Sequence, residues 1–342
     1  MGKKDKSIVP EEMKQKAEIS LLRKVSGFLA GSSLWGAVGT LVGIANYFYD
    51  FSMKPAKRDK SHDKDESERP YMQGRRWMNT HPDRKDWYER AEDGLRIHAN
   101  FIPSAVKGGD HRFAVCVHGY SDSAESMGLY AKVYHDRYGM NVVLPDLRGH
   151  GKSEGTYVGY GYHDRLDVII WIDRILHLDP EAVIILHGMS MGAATIMMVT
   201  GEKLPSNVKA CVEDAGFTCA MDEFAHVYST LKEKPPIPSD ILLPIMRRIA
   251  MVRAGYDLNL ASPLEAVKRS KTPTLFIHGD ADTFIPCRMM HKLFEAASCE
   301  KMCMVVHGAK HVHSAIVDPK GYWAKIESFL KLVDPAIVER KA

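Results

Sequence analysis

Ser190 stands at the centre of Gly188-Met189-Ser190-Met191-Gly192, between the apolar run AVIILH and the run AATIMMV. A serine hydroxyl is a weak nucleophile until a base takes its proton. The flanking glycines leave room for a sharp strand-to-helix turn that presents the hydroxyl, and after such a turn the acid and then the base follow along the chain. Two later loops meet that order. TPTLFIHG leads into Asp280-Ala281-Asp282-Thr283-Phe284-Ile285-Pro286, and MCMVVHG leads into Ala309-Lys310-His311-Val312-His313. Asp280 ends its strand directly, where an aspartate commonly accepts from amides of the turn. Asp282 lies further out and is expected to reach the histidine. Glu213 and Asp214, at the end of an earlier run, offer a second position for the acid. His311 and His313 are two apart and face the same side of an extended loop, so spacing does not separate them. An H-x-H pair also suits a metal, but no third ligand cluster accompanies it, and neither a metal nor another cofactor is expected.

The negative charge that develops on an attacked carbonyl needs preorganised donors, and backbone amides supply them. One is expected from Met191, directly after the nucleophile. The other is expected from Tyr120, in the loop His118-Gly119-Tyr120-Ser121-Asp122 after an early strand. His118 itself reads as a group that braces this loop. Asp146-Leu147-Arg148-Gly149-His150-Gly151-Lys152-Ser153 is rich in glycine, but its spacing fits no phosphate-binding loop, and it reads as a structural turn beneath the site.

The elements that must carry these loops alternate. Apolar runs at 94–102, 112–118, 141–146, 182–187, 208–214, 272–280 and 302–308 have the length and β-branched content of strands. Helical patterns lie between or after them at 123–138, 162–178, 190–203, 287–298 and 320–332. Such alternation predicts an α/β fold with a mostly parallel sheet covered by helices on both faces. Sheets of this kind place their sites outside the carboxyl ends of the strands, where all the loops above lie.

Composition agrees with a globular protein of 342 residues, 45% hydrophobic and 26% charged. The formal net charge is +3 and basic residues are interleaved with acidic ones, so no nucleic-acid partner is expected. Cys116 and Cys211 lie in apolar runs and read as core thiols. Cys299 and Cys303 are near enough in sequence for a bridge.

Residues 1–24 form a polar leader. Residues 25–49 then run without a single charge, VSGFLAGSSLWGAVGTLVGIANYFY. About 20 mostly apolar residues span a bilayer as a helix, which predicts a single N-terminal transmembrane anchor and a membrane location. Gly27 with Gly31, and Gly39 with Gly43, have the spacing of close helix contact in membranes. Lys and Arg are about equally frequent on both flanks; an inside N-terminus with the enzyme outside would suit a signal anchor. Residues 50–84 read as a charged linker and lead-in segment, and the folded enzyme domain is expected over 85–342.

HGY, DLRGHGKSEG, GMSMG, HGDADTFIP and GAKH, in this order, resemble the α/β-hydrolase superfamily over about residues 85–333. The stretches DWYERAEDGLRIHANFIP, GYGYHDRLDVIIWID and VDPKGYWAKIESFL resemble its bacterial membrane-anchored branch, related to cinnamoyl (feruloyl) esterases and prolyl-oligopeptidase-like hydrolases. The resemblance implies Ser190 as nucleophile, Asp282, the second aspartate of the D-x-D pair, as acid, and His311, which follows Gly-Ala-x, as base. Many members carry glycine after that histidine; Val312 stands there in this chain, which bears on the shape of the loop rather than on the base. The long connection 217–263 resembles the superfamily's lid, whose Phe217, Phe224, Tyr228, Met246, Met251 and Tyr256 could line an acyl pocket. The implied activity is hydrolysis of a small-molecule carboxylic ester, with thioesterase, peptidase or a catalytically silent membrane-tethered binding module as rivals.

Overall fold

In a computed structural model, the structure describes residues 34–55, 68–106, 110–231 and 237–339. The described chain divides into two compact units, one holding the residues up to Lys54 together with Ala220–Leu260, the other holding Pro55–Cys219 with Ala261–Ala342.

The larger unit is built on an eight-stranded sheet. Its strands are β1 (Lys85–Arg90), β2 (Arg96–Ile102), β3 (Arg112–Val117), β4 (Asn141–Asp146), β5 (Val183–Met189), β6 (Val208–Asp214), β7 (Thr274–Gly279) and β8 (Lys301–Val306). The order is β1-β2-β4-β3-β5-β6-β7-β8. β2 is antiparallel to β1 and β4, and every pairing from β4 to β8 is parallel. β3, β4 and β7 are buried at every position because helices cover both faces.

Side chains alternate between those faces. Leu275 and Ile277 join the core under one set of helices, with Tyr130, Tyr134, Tyr322 and Phe329. Phe276, between them in sequence, packs with Met197, Met290 and Leu293 on the other side. The helices of the larger unit are α2 (Arg69–Thr80), α3 (Gly128–Asp136), α4 (Asp164–Leu178), α5 (Met191–Thr200), α8 (Pro263–Val267), α9 (Arg288–Ala296), α10 (Ser314–Val317) and α11 (Pro319–Val333). Asp318 accepts from the amide of Gly321 and Pro319 opens α11, a cap that starts this helix soon after the histidine loop.

The smaller unit holds α1 (Leu34–Met53), α6 (Ala220–Thr230) and α7 (Ser239–Arg253). Ile44 and Ala45 of α1 pack with Tyr228 and Leu242. Phe224, Tyr228, Met246 and Tyr256 are buried, whereas Met251 of the expected pocket lining is exposed.

Two expectations change, and a third is not met among the described residues. α1 continues past position 49 through Asp50 to Met53, and among the described residues no helix is long and apolar enough to cross a membrane; residues 25–33 of the expected span lie outside the described residues. The lead-in segment 50–84 contains α2, a docked helix with Tyr71, Gly74, Arg75 and Met78 buried at helical spacing. Cys299 and Cys303 form no bridge; both thiols are free.

Candidate active site

Ser190 follows β5 at a turn with φ 54° and ψ −122°, strained for a residue with a Cβ. Its amide donates to the carbonyl of Asp214 at 2.8 Å, and α5 begins at the next residue. The flanking glycines are required by contact. A Cβ on Gly188 would run into the carbonyl of Gly192, and one on Gly192 would run into the carbonyls of Val117 and His118. Gly119, after β3, approaches the serine so closely that a Cβ there would stand 3.2 Å from that of Ser190.

Asp282 lies in the loop after β7 and His311 in the loop after β8. His311 Nδ1 is 2.7 Å from Asp282 Oδ2, and its Nε2 is 2.9 Å from Ser190 Oγ. All three residues are buried. Asp282 Oδ1 accepts from the amides of Phe284 and Ile285, both at 2.9 Å. Burial alone would raise its pKa. The charge of His311, with the hydrogen bonds from His278 and His311, outweighs burial and holds the carboxyl well below the usual carboxylate range. The ring of Phe284 meets that of His311 edge-on at 5.0 Å.

The rival acids and base are committed elsewhere. Asp280 Oδ1 accepts from the amide of Gly308 and its Oδ2 pairs with His307 Nδ1, both at 2.7 Å. Asp214 accepts from the hydroxyls of Ser314, at 3.2 Å, and Tyr322, at 3.0 Å. Glu213 accepts from the amide of Gly216 at 3.0 Å. His313 donates through Nδ1 to the carbonyl of His311 at 2.7 Å and pairs through Nε2 with Glu68 at 3.0 Å. Burial disfavours its charged form, but Glu68 and that carbonyl raise its pKa above the ordinary value.

Met191 is the first residue of α5, so its amide has no acceptor within the helix. Tyr120 follows Gly119 in the loop beside the serine, and its ring lies 5.9 Å from Tyr160, which lies 6.3 Å from Phe217. His118 donates through Nδ1 to the carbonyl of Gly119 at 2.7 Å and accepts through Nε2 from the amide of Leu147 at 3.0 Å. It thereby ties the loop after β3 to the loop after β4. In that second loop Arg148 forks onto Asp167 at 2.9 and 2.8 Å, and Asp146 accepts from the amides of Ala124 and Lys152.

One feature escapes a reading of the sequence alone. His278, inside the apolar run of β7, directs Nε2 to the carbonyl of Ile285 at 2.8 Å and stands 3.2 Å from Asp282 Oδ2. A polar side chain in an otherwise apolar strand was its only signal. Val312, which the sequence marks as a departure from glycine, has a φ of 53°. A β-branched residue in that left-handed region carries roughly 1–2 kcal/mol of unfavourable backbone energy. Glycine would sit there without strain, so the departure from glycine at this position has a conformational consequence directly after His311.

A mostly parallel sheet, with its reactive loops at the strand ends and a strained serine between β5 and α5, is the architecture of the α/β-hydrolase class. A model of the alpha/beta hydrolase family matches residues 114–324, and the chain belongs to that family. It is 27% identical over 221 residues to the uncharacterized protein YqkD of Bacillus subtilis, covering 63% of this chain and 70% of that one. An uncharacterized membrane protein of Saccharomyces cerevisiae is 24% identical over 203 residues, 59% of this chain and 64% of that one. Among solved structures, the esterase Pf2001 of Pyrococcus furiosus superimposes with a TM-score of 0.55 at 22% identity, over 73% of this chain and 92% of that one. The acylaminoacyl peptidase of Pyrococcus horikoshii superimposes at 0.53 and 19% identity, over 75% of this chain and 42% of that one. These two likenesses are of fold.

Proposed function

We propose that this protein is a serine hydrolase that cleaves carboxylic esters through an acyl-enzyme. One observation carries the reading: the imidazole of His311 bridges the hydroxyl of Ser190 and the carboxylate of Asp282, at 2.9 and 2.7 Å. In the reaction, Ser190 Oγ attacks the ester carbonyl while His311 Nε2 takes its proton. Asp282 keeps the Nδ1–H tautomer and stabilises the imidazolium. The amides of Tyr120 and Met191 receive the oxyanion. His311 then protonates the leaving alcohol, and water, activated by the same imidazole, releases the acid. No cofactor takes part in these steps.

Replacing Ser190 with alanine should lower turnover of a p-nitrophenyl ester by about 10³-fold or more. Wild-type turnover in that variant would end the proposal. A panel of oxygen esters, thioesters and N-acylated amides of equal acyl length ranks esterase against thioesterase and peptidase. Fluorophosphonate labelling of Ser190 separates all three from a silent binding module.

We further propose that residues 25–49 anchor the chain in a membrane, with the enzyme on the outer side. The uncharged run supports this, as do Val38 and Val42, which are exposed on α1, and Gly39 and Gly43, which face open space. A relative named as a membrane protein points the same way. The full chain should stay with the membrane pellet through an alkaline carbonate wash, and its release into the supernatant would refute the anchor.

A further inference from the structure

Five residues other than glycine have positive φ among the described residues, and two of them flank the reacting groups: Ser121, in the loop expected to supply an oxyanion amide, and Val312, directly after His311. Backbone held in such conformations persists only where its surroundings over-determine it. Beyond the tie that His118 makes to the first of these loops, both are gripped by one element, the helix α2, which precedes every strand of the sheet and lies ahead of the segment that defines the family.

The contacts are specific. Tyr71 donates its hydroxyl proton to the carbonyl of Val312. The hydroxyl of Tyr130 lies 3.0 Å from that of Tyr71 and, since the latter's proton is committed, donates to it. Glu68, at the start of the helix, holds His313 at 3.0 Å, so the histidine loop is fastened on either side of one peptide. One turn further along, Arg75 Nη2 reaches both oxygens of Asp122 at 2.8 and 2.7 Å, directly after Ser121. The Arg75 side chain is only 8% exposed, and its charge faces Asp122 and, at 3.9 Å from Nη1, Glu125 of the same segment and not solvent.

The helix is also locked in register against α3. Gly74 and Gly128 cross with no room for a side chain on either: a Cβ on Gly74 would run into the backbone of Leu129, and one on Gly128 into the carbonyl of Gly74. Backbone-to-backbone docking of this kind fixes where the side chains on either side of Gly74 arrive. Tyr71 lies one turn before it and Arg75 directly after it, and they reach the two loops that must stay in register with Ser190.

We propose that α2 is a positioning brace for the active site, in which Tyr71 and Arg75 are positioning residues: Tyr71 fixes the loop that carries His311, and Arg75 fixes the loop that carries the Tyr120 amide. This rests on the hydrolase reading above. Neither residue touches the reacting atoms. Each acts by holding a strained peptide whose relaxation would move a reacting group, and misplacement on the scale of 1 Å costs on the order of 100-fold in rate.

The test uses the full chain and its Tyr71→Phe, Arg75→Met and Ser190→Ala variants, with melting temperature, kcat and KM on one p-nitrophenyl ester. A second readout is the low-field proton resonance of the His311–Asp282 hydrogen bond. Tyr71→Phe should lower kcat by about tenfold and Arg75→Met by about 10- to 100-fold, with KM within about twofold of wild type. The low-field resonance should broaden in Tyr71→Phe. Adding Val312→Gly to Tyr71→Phe should restore most of the lost kcat, because glycine occupies the left-handed region unaided. Should Arg75→Met fail to fold, Asp122→Asn removes the carboxylate that receives Arg75 Nη2 and should show the same kcat loss. Wild-type kcat in both brace variants, with Ser190→Ala inactive, overturns the brace and leaves the hydrolase reading standing. Full activity in Ser190→Ala overturns the hydrolase reading instead. The resonance then decides the brace alone, and an unchanged signal in Tyr71→Phe refutes it.

Discussion

Two neighbouring strands end in buried carboxyls, and the two ends behave in opposite ways. After β7, Asp282 accepts two backbone amides on one oxygen and faces two imidazoles on the other. Those donors outweigh burial and hold it ionised far below the usual range. At the end of β6, burial dominates. Asp214 has the hydroxyls of Tyr322 and Ser314 and is pushed up to about 6, while Glu213 has one amide and is pushed up to about 8. Asp282 and Asp214 are the same residue type and both are buried, so the difference between them lies in the number and charge of the donors. A carboxylate that stays ionised can stabilise an imidazolium beside it. A carboxyl drifting toward neutrality serves as a hydrogen-bonded strut.

The largest expected effect breaks that contrast on activity. Asp282→Asn presents an amide to His311 Nδ1 and disfavours the tautomer that leaves Nε2 free to accept the serine proton. It should lower kcat by about 10³- to 10⁴-fold, the scale known for this change in serine proteases, with KM little altered. Asp214→Asn, made one strand away, should cost less than about tenfold, because Asn still accepts from a hydroxyl. Ester turnover of the two purified variants at neutral pH checks this. Equal losses would mean that the β6 carboxyl serves the imidazole, and the assignment of roles would fail.

The same contrast explains what could be read from the sequence. The strands from β3 to β7 coincide with apolar runs because a sheet covered on both faces demands Val, Ile and Leu at successive positions, and β8 follows an apolar run although only Val306 is buried in it. Loops that follow such runs are easy to locate, and order along the chain then pairs Asp282 and His311 with Ser190. β1, KDWYER, was illegible: an edge strand needs little burial, and only Trp87 is buried in it. α2 was hidden by its charges. Arg75 falls within the segment read as a charged linker and lead-in, although its guanidinium pairs with Asp122 from 47 positions away. Whether a charged residue is solvated or paired depends on a partner distant in sequence, which local composition does not show. The donor count at each carboxyl is illegible for the same reason.

A smaller effect sharpens the comparison through stability. The pKa of Glu213 rises on folding from an ordinary 4.5 to about 8 because burial disfavours its charge. The folded state therefore holds this proton more tightly than the unfolded state. Below about pH 4.5 both states are protonated and the group is neutral toward folding. Between about 4.5 and 8 the unfolded state loses its proton and the folded state keeps it, so stability falls as pH rises through that window. At 1.36 kcal/mol per pKa unit, the loss amounts to at most about 5 kcal/mol at pH 8. Glu213→Gln has the same shape, keeps an oxygen for the amide of Gly216 and does not titrate. Its melting temperature should match the wild type near pH 4.5 and exceed it increasingly toward pH 8. Asp282→Asn should instead melt below the wild type by a constant margin over that window, since a depressed carboxyl contributes stability that is fully present above its ordinary 3.8 and is lost only in stronger acid, as pH falls toward its folded value. Parallel melting curves for the two variants across this range would mean that burial and donor count do not set the two strand ends apart.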